Sequence, residues 1–136
     1  MRVILISHVL LLNKNNEVLI IKRAASEKVL PNYWDIPGGT VQDSEDPAEG
    51  AIRELYEETK IKAHKFYLLH YTSNIDRDKS KQFVRLIFIG NVKSNKVILN
   101  KKDHEDYCWI KLNKKEISKY RMVDYLKDCL DLLMKK

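Results

Sequence analysis

Two dense runs of β-branched and aliphatic residues, Val3 to Leu12 and Val18 to Lys22, flank the polar NKNNE, whose asparagines suit a turn. They predict two adjacent strands. Tyr33 to Val41 adds a short extended piece that ends in a Pro-Gly-Gly bend, where glycine permits backbone angles or close approaches that side chains forbid. Phe66 to Ile75 and Gln82 to Val92 predict two further strands around the charged loop DRDKSK, and Tyr107 to Leu112 a shorter one. From Lys114 to Met134 the apolar positions Ile117, Tyr120, Met122, Val123, Tyr125, Leu126, Cys129, Leu130 and Leu133 fall at helical spacing. This tail is expected to pack on the sheet as a helix.

A second helix is announced by its start. Asp46 suits the N-cap, Pro47 the first helical position, and Glu49 a capping-box-like arrangement. That frame puts Ala48, Ile52, Leu55 and Thr59 on one side and spreads Glu54, Glu57 and Glu58 over about 100° of another. Glu57 and Glu58 stand in the closing turn, where the helix dipole disfavours anions by about 0.3–1 kcal/mol each. A solvated acidic face remains one account of them. The other is a hard divalent cation, Mg²⁺ or Mn²⁺, held by oxygen ligands and in turn holding substrate phosphates.

Composition narrows the class. A chain of 136 residues with 44% hydrophobic and 32% charged residues fits one globular domain, 1–136, with a sizeable core. The formal net charge of +6 suits anionic ligands such as nucleotides, or a lysine-rich solvated surface. The basic residues are spread along the chain, which argues against a patch for duplex nucleic acid. Cys108 and Cys129 make neither a metal-ligand spacing nor a disulfide framework, so a reduced, cytoplasmic compartment is expected. The opening MRVILISHVLLL reads as a strand and not a signal peptide, because Ser7 and His8 interrupt it and no small-residue cleavage site follows. No apolar run approaches the roughly 20 residues that span a bilayer, so no membrane association is expected.

Counting from Gly39, five residues lead to Glu45 and seven more to Arg53, followed by Glu54, Leu55, Tyr56, Glu57, Glu58, Thr59, Lys60 and Ile61. This resembles the Nudix box, the signature of hydrolases that cleave nucleoside diphosphates linked to another moiety. The flanking LIIKRA, YWDIPGG and DHEDYCWI resemble corresponding Nudix segments, so the likeness covers nearly the whole chain. One position departs: Lys60 stands where the family has glycine, at a point where a left-handed residue often ends the helix.

The resemblance implies a Nudix fold, an α/β/α sandwich with a mixed central sheet, the catalytic helix after the Gly-Gly loop and a C-terminal helix. It implies a Mg²⁺- or Mn²⁺-dependent pyrophosphohydrolase, with Glu54, Glu57, Glu58 and the Gly38 carbonyl as metal ligands and Glu45 and Arg53 holding the carboxylates in place. Water would attack phosphorus. The base is a helix glutamate or a later acid, and among Asp103, Glu105 and Asp106 the favoured residue is Asp103, as extra metal ligand or base, while His104 reads as a surface histidine. Arg23 and Gly39 are candidates for substrate contact, and Tyr33 and Trp34 for stacking on a base. The substrate class is a nucleotide or nucleoside diphosphate derivative, with MutT-like triphosphate and dinucleoside polyphosphate hydrolysis both open. The proline that marks many ADP-ribose hydrolases about sixteen residues after the box is absent, which argues against that substrate. Two rivals are a non-catalytic nucleotide-sensing module and an isoprenoid diphosphate isomerase, the latter needing a catalytic cysteine that Cys108 does not resemble. Relatives commonly form homodimers, though no stretch here marks an interface.

Overall fold

The computed structural model describes residues 1–63 and 65–135; residues 64 and 136 of the expected domain lie outside them. The strand runs foreseen are present: β1 (Arg2–Leu12), β2 (Glu17–Arg23), β5 (Tyr67–Asp76), β6 (Lys81–Asn91) and β7 (His104–Lys111). The extended piece before the box is not one strand. It divides at Ile36-Pro37 into β3 (Trp34–Asp35) and β4 (Gly38–Thr40), which pair with β2 and β1 respectively.

β1 organises the sheet. It runs parallel to β6 along its whole length, antiparallel to β4 at Ile6 to His8, and touches β2 only where Leu12 faces Val18. β5 extends the β6 side and β7 the β2 side, both antiparallel, so the sheet is mixed. Because alternate residues of β1 point to opposite faces, Leu10 enters one apolar cluster and Val9 and Leu11 another. The first cluster packs beneath Leu126, Cys129 and Leu130 of the last helix, the second beneath Ala51 and Leu55 of the helix that follows β4. Helices thus cover both faces, the sandwich the resemblance implied.

The tail departs from the single helix its periodicity predicts. Two helices form, α2 (Lys114–Ile117) and α3 (Asp124–Met134), with an extended link between them. In the link, Trp34 N–H donates to Arg121 O (2.7 Å) and Val123 N–H to Trp34 O (3.0 Å). A parallel bridge to β3 therefore takes the backbone groups a continuous helix would have used.

The box helix, α1 (Pro47–Thr59), starts as read: the Asp46 carboxylate accepts from Ala48 N–H and Pro47 holds the first turn. Its far end also follows the glycine pattern without a glycine. Lys60 sits at φ 62°, ψ 16°, and its N–H bonds Tyr56 O. A side chain there costs about 1 kcal/mol. The Lys60 ammonium lies 4.9 Å from the Tyr56 ring centroid, a contact that offsets part of that cost. Two readings of α1 need correction. Glu49 forms none of the hydrogen bonds of a capping box among the described residues; Glu45 instead accepts from Gln42 N–H (3.0 Å). And the packed stripe runs through Ala51, Leu55 and Glu58 instead of through Ile52.

Candidate active site

That stripe decides the site. Residues 51, 55 and 58 are spaced i, i+4, i+7, which places Glu58 within about 20° of Ala51 around the helix. The three glutamates therefore do not share one solvent face. Glu58 is buried with 8% exposure, while the Glu57 side chain keeps 52% and Glu54 only 18%. A cleft of about 400 Å³ opens beside them, walled by α1, the Gly38-Gly39 bend, Arg23, Asp35, Arg85, Asp103, His104 and Tyr125.

The two glycines are required by space, since neither has a positive φ. A Cβ on Gly38 would run into the Ser7 carbonyl and the His8 ring, and one on Gly39 would lie 2.6 Å from the Glu54 carboxyl. The bend is pressed directly onto the carboxylates. Gly38 N–H points at Glu58, 3.3 and 3.5 Å from its two oxygens.

Arg53 answers most of the charge. Its guanidinium grips Glu45 with two donors (2.9 and 3.1 Å), then reaches Glu54 (3.0 Å), Glu57 (3.3 Å) and the Thr40 carbonyl (3.2 Å). The ion pair with Glu45 expected from the resemblance is present, and it holds the 40–46 loop against α1. Glu45 is held below the usual carboxylate range chiefly by these Arg53 hydrogen bonds. Glu54 is raised, mainly by burial and against the pull of Arg53.

Glu58 has no such partner. Its nearest cationic candidate, His104 Nδ1, is 3.9 Å away, and burial holds that histidine below its ordinary value. Burial first, and the Glu54 charge second, push the Glu58 carboxyl up to about 9. His104 itself is 9% exposed, which corrects its reading as a surface histidine.

Of the rest of the lining, Arg23 was foreseen, but Asp35, His8, Arg85 and Tyr125 were not. Asp35, 3% exposed, accepts from Ile36 N–H (2.7 Å) and from the Tyr125 hydroxyl (2.7 and 2.8 Å), and meets Arg23 Nη1 at 3.5 Å. Arg23 is further tied to Val29 O (3.0 Å). The Arg85 guanidinium lies 4.7 Å from the Tyr125 ring centroid, and His8, Arg85 and His104 each keep one buried nitrogen without a partner. Asp35 was legible as the acid of YWDIPGG, but His8, Arg85 and Tyr125 come from apolar stretches that carry no motif.

Asp103 lines the cleft at its exposed rim. Glu105 and Asp106 do not line it; Glu105 pairs with Lys22 (3.4 Å) and Asp106 accepts from Tyr107 N–H (2.8 Å). Tyr33 and Trp34 also lie off the cleft lining. Both pack against the α3-side core, Trp34 edge-on to Tyr120 and Tyr33 under Arg121.

A family model described as the NUDIX domain matches residues 2–129. The chain belongs to the Nudix family. RNA pyrophosphohydrolase of Pelagibacter ubique (strain HTCC1062) is 44% identical over 54 residues, which are 40% of this chain and 32% of that protein. Homo sapiens diphosphoinositol polyphosphate phosphohydrolase 2 is 32% identical over 79 residues, 58% of this chain and 41% of its own. The likeness thus spans well under half of each relative's length. The crystal structure of a MutT protein from Methanosarcina mazei Go1 superposes with a TM-score of 0.81 over 96% of this chain and 91% of that one, at 26% identity.

Do the Nudix carboxylates of this chain fit a divalent ion? Among the described residues no three His, Cys, Asp or Glu side chains already converge as a closed metal cage. Mg²⁺ does not need one, because it takes one or two carboxylates and completes its shell with water and substrate phosphates. A buried Glu58 without a cation, next to a Glu54 that is itself raised, fits that demand.

Proposed function

We propose that this Nudix chain hydrolyses a diphosphate linkage in a nucleotide or nucleoside diphosphate derivative, using Mg²⁺ or Mn²⁺. The observation that carries the reading is Glu58, a carboxylate buried in the cleft wall with no cation in contact. A buried charge left unpaired is costly, and the apo chain escapes the cost by keeping the group protonated. Glu58 and Glu54, with Glu57 from the rim and the Gly38 carbonyl, would hold the ion. Bound there, it would offset diphosphate charge, orient the phosphates and make a coordinated water acidic enough to act near neutral pH.

The chain's own side chains do the rest. Arg53, anchored by Glu45, fixes Glu54 and Glu57 from behind. Arg23, held by Asp35 and Val29, and Arg85, resting on Tyr125, present positive charge to the phosphates from the far wall. The water oxygen forms a new P–O bond while the bridging P–O bond breaks, and that electron pair leaves with the departing phosphate. Asp103, at the open rim, accepts the water proton. Gly39, pressed on Glu54, leaves that carboxyl in place only because it has no side chain. The names of the relatives, a pyrophosphohydrolase and a polyphosphate phosphohydrolase, agree with this bond class.

The test is release of phosphate and pyrophosphate from a panel of nucleoside triphosphates, dinucleoside polyphosphates and nucleoside diphosphate derivatives. Turnover of at least one substrate with Mg²⁺ or Mn²⁺, abolished by chelator, is expected. Tight nucleotide binding without any product across the panel would favour a sensing module instead.

A further inference from the structure

A second cavity, of about 500 Å³, lies at the C-terminal end of α1, separate from the catalytic cleft. Lys60 and Lys62 line it from the end of the helix, Lys93 and Lys96 from the segment after β6, and no acidic side chain is among its lining residues. None of the four lysines makes a salt bridge among the described residues. Lys60 and Lys62 both rest on the Tyr56 ring instead, at 4.9 and 5.5 Å. We propose that this cavity is a second ligand site that takes a chain of phosphate groups.

Three observations favour it over a random lysine surface. First, the wall that carries Lys93 and Lys96 is pinned although it has no regular secondary structure. Val92 N–H bonds Leu12 O (2.9 Å), Asn95 receives Trp109 Nε1 (3.1 Å) and Asn13 Nδ2 (2.9 Å), and Ile98 N–H bonds Thr59 O (3.0 Å). The backbone that carries Lys93 and Lys96 is thus fixed beside the one that carries Lys60 and Lys62, where a flexible loop would let them separate. Second, carbonyls at the helix end already have donors. Thr59 O and Glu58 O accept from Ile98 and Asn100 N–H (3.0 and 2.8 Å), and Tyr56 O accepts from Lys60 N–H. Those donors lessen the repulsion that a helix C-terminus exerts on an anion. Third, Lys60, which lines the cavity, holds a left-handed backbone that strains any residue but glycine. Lysine binds phosphate as a mobile point charge, and four of them match a ligand with several negative charges better than a single phosphate.

The site does not depend on hydrolysis, and its test uses metal-free protein in chelator at low ionic strength. Inorganic tripolyphosphate probes the free form of the ligand and a nucleoside tetraphosphate the carried form, both by isothermal titration. The Lys62→Gln/Lys93→Gln double variant should weaken one or both by about tenfold or more, while Lys114→Gln/Lys115→Gln, which removes the same charge at α2, changes them by less than about twofold. Lys60→Gly should weaken binding while raising the melting temperature, a combination that unfolding cannot produce. Equal weakening by the two double variants, no weakening by the cavity variant, or inorganic phosphate bound as tightly as tripolyphosphate would overturn the proposal.

Discussion

Glu58 concentrates the energetics of the cleft into one carboxyl. Its value in the fold, about 9, lies above the 4.5 of the unfolded chain, so the folded state holds the proton more tightly and stability declines as pH rises between the two. Glu54 acts in the same direction. His8 and His104 are lowered by burial, so they disfavour the fold only below their ordinary 6.5, where the unfolded chain binds the protons. From pH 6.5 to about 9 Glu58 dominates. Metal-free protein should therefore melt at progressively lower temperature across that window, and Glu58→Gln should flatten the slope; thermal melts at fixed ionic strength read both. Gly39→Ala is a second test at this scale. Its Cβ displaces the Glu54 carboxyl, so turnover should fall by roughly tenfold or more with a raised Mg²⁺ requirement, seen in metal titrations of activity. The identity of these residues was legible from box spacing, yet the inequality among the glutamates was not. Glu58 continues the stripe of Ala51 and Leu55, and an apolar count passes over it because it is charged.

At the scale of elements, α1 carries the three glutamates of the proposed metal site, and its two ends explain how it is held. Ser7 Oγ donates to Pro47 O (2.8 Å), so β1 fixes the first turn, and Arg53 ties the middle to the preceding loop. At the other end Lys60→Gly should relieve about 1 kcal/mol of backbone strain, raising the melting temperature by about 3–5 °C in calorimetry. An unchanged or lower value would mean that the Tyr56 stacking of Lys60 outweighs the strain. Arg53→Lys should cost more than its retained charge suggests, because lysine cannot reproduce the paired grip on Glu45 while also reaching Glu54. Turnover reduced by about tenfold or more, with only a modest loss of stability, is expected from steady-state rates and melts. The N-cap of α1 was readable because Asp46 and Pro47 act locally, whereas the left-handed end at Lys60 was suggested only by the family's glycine and stayed open. The break between α2 and α3 was not, since the competing partner of residues 121–123 is Trp34, far away in sequence.

Across the molecule, the sheet brings distant segments to one cleft. β1 supplies His8, β6 Arg85, the end of β2 Arg23, β3 Asp35, the start of β7 His104, and α3 Tyr125. Strand existence followed from hydrophobic runs, but the parallel pairing of β1 with β6 joins segments about 80 residues apart, and no local pattern encodes it. That pairing helps bring Arg85 into the lining of the cleft that holds the glutamates. In the proposed function this cleft, with its carboxylates tied by Arg53 and its Arg23 tied to Asp35, is a clamp for a metal-bound diphosphate. It is tested most directly by steady-state turnover of Glu58→Gln beside the wild type with Mg²⁺ on the best substrate of the panel, each variant confirmed folded by its melt. A fall of roughly 10²-fold or more is predicted; a near-normal rate would contradict the central role of Glu58.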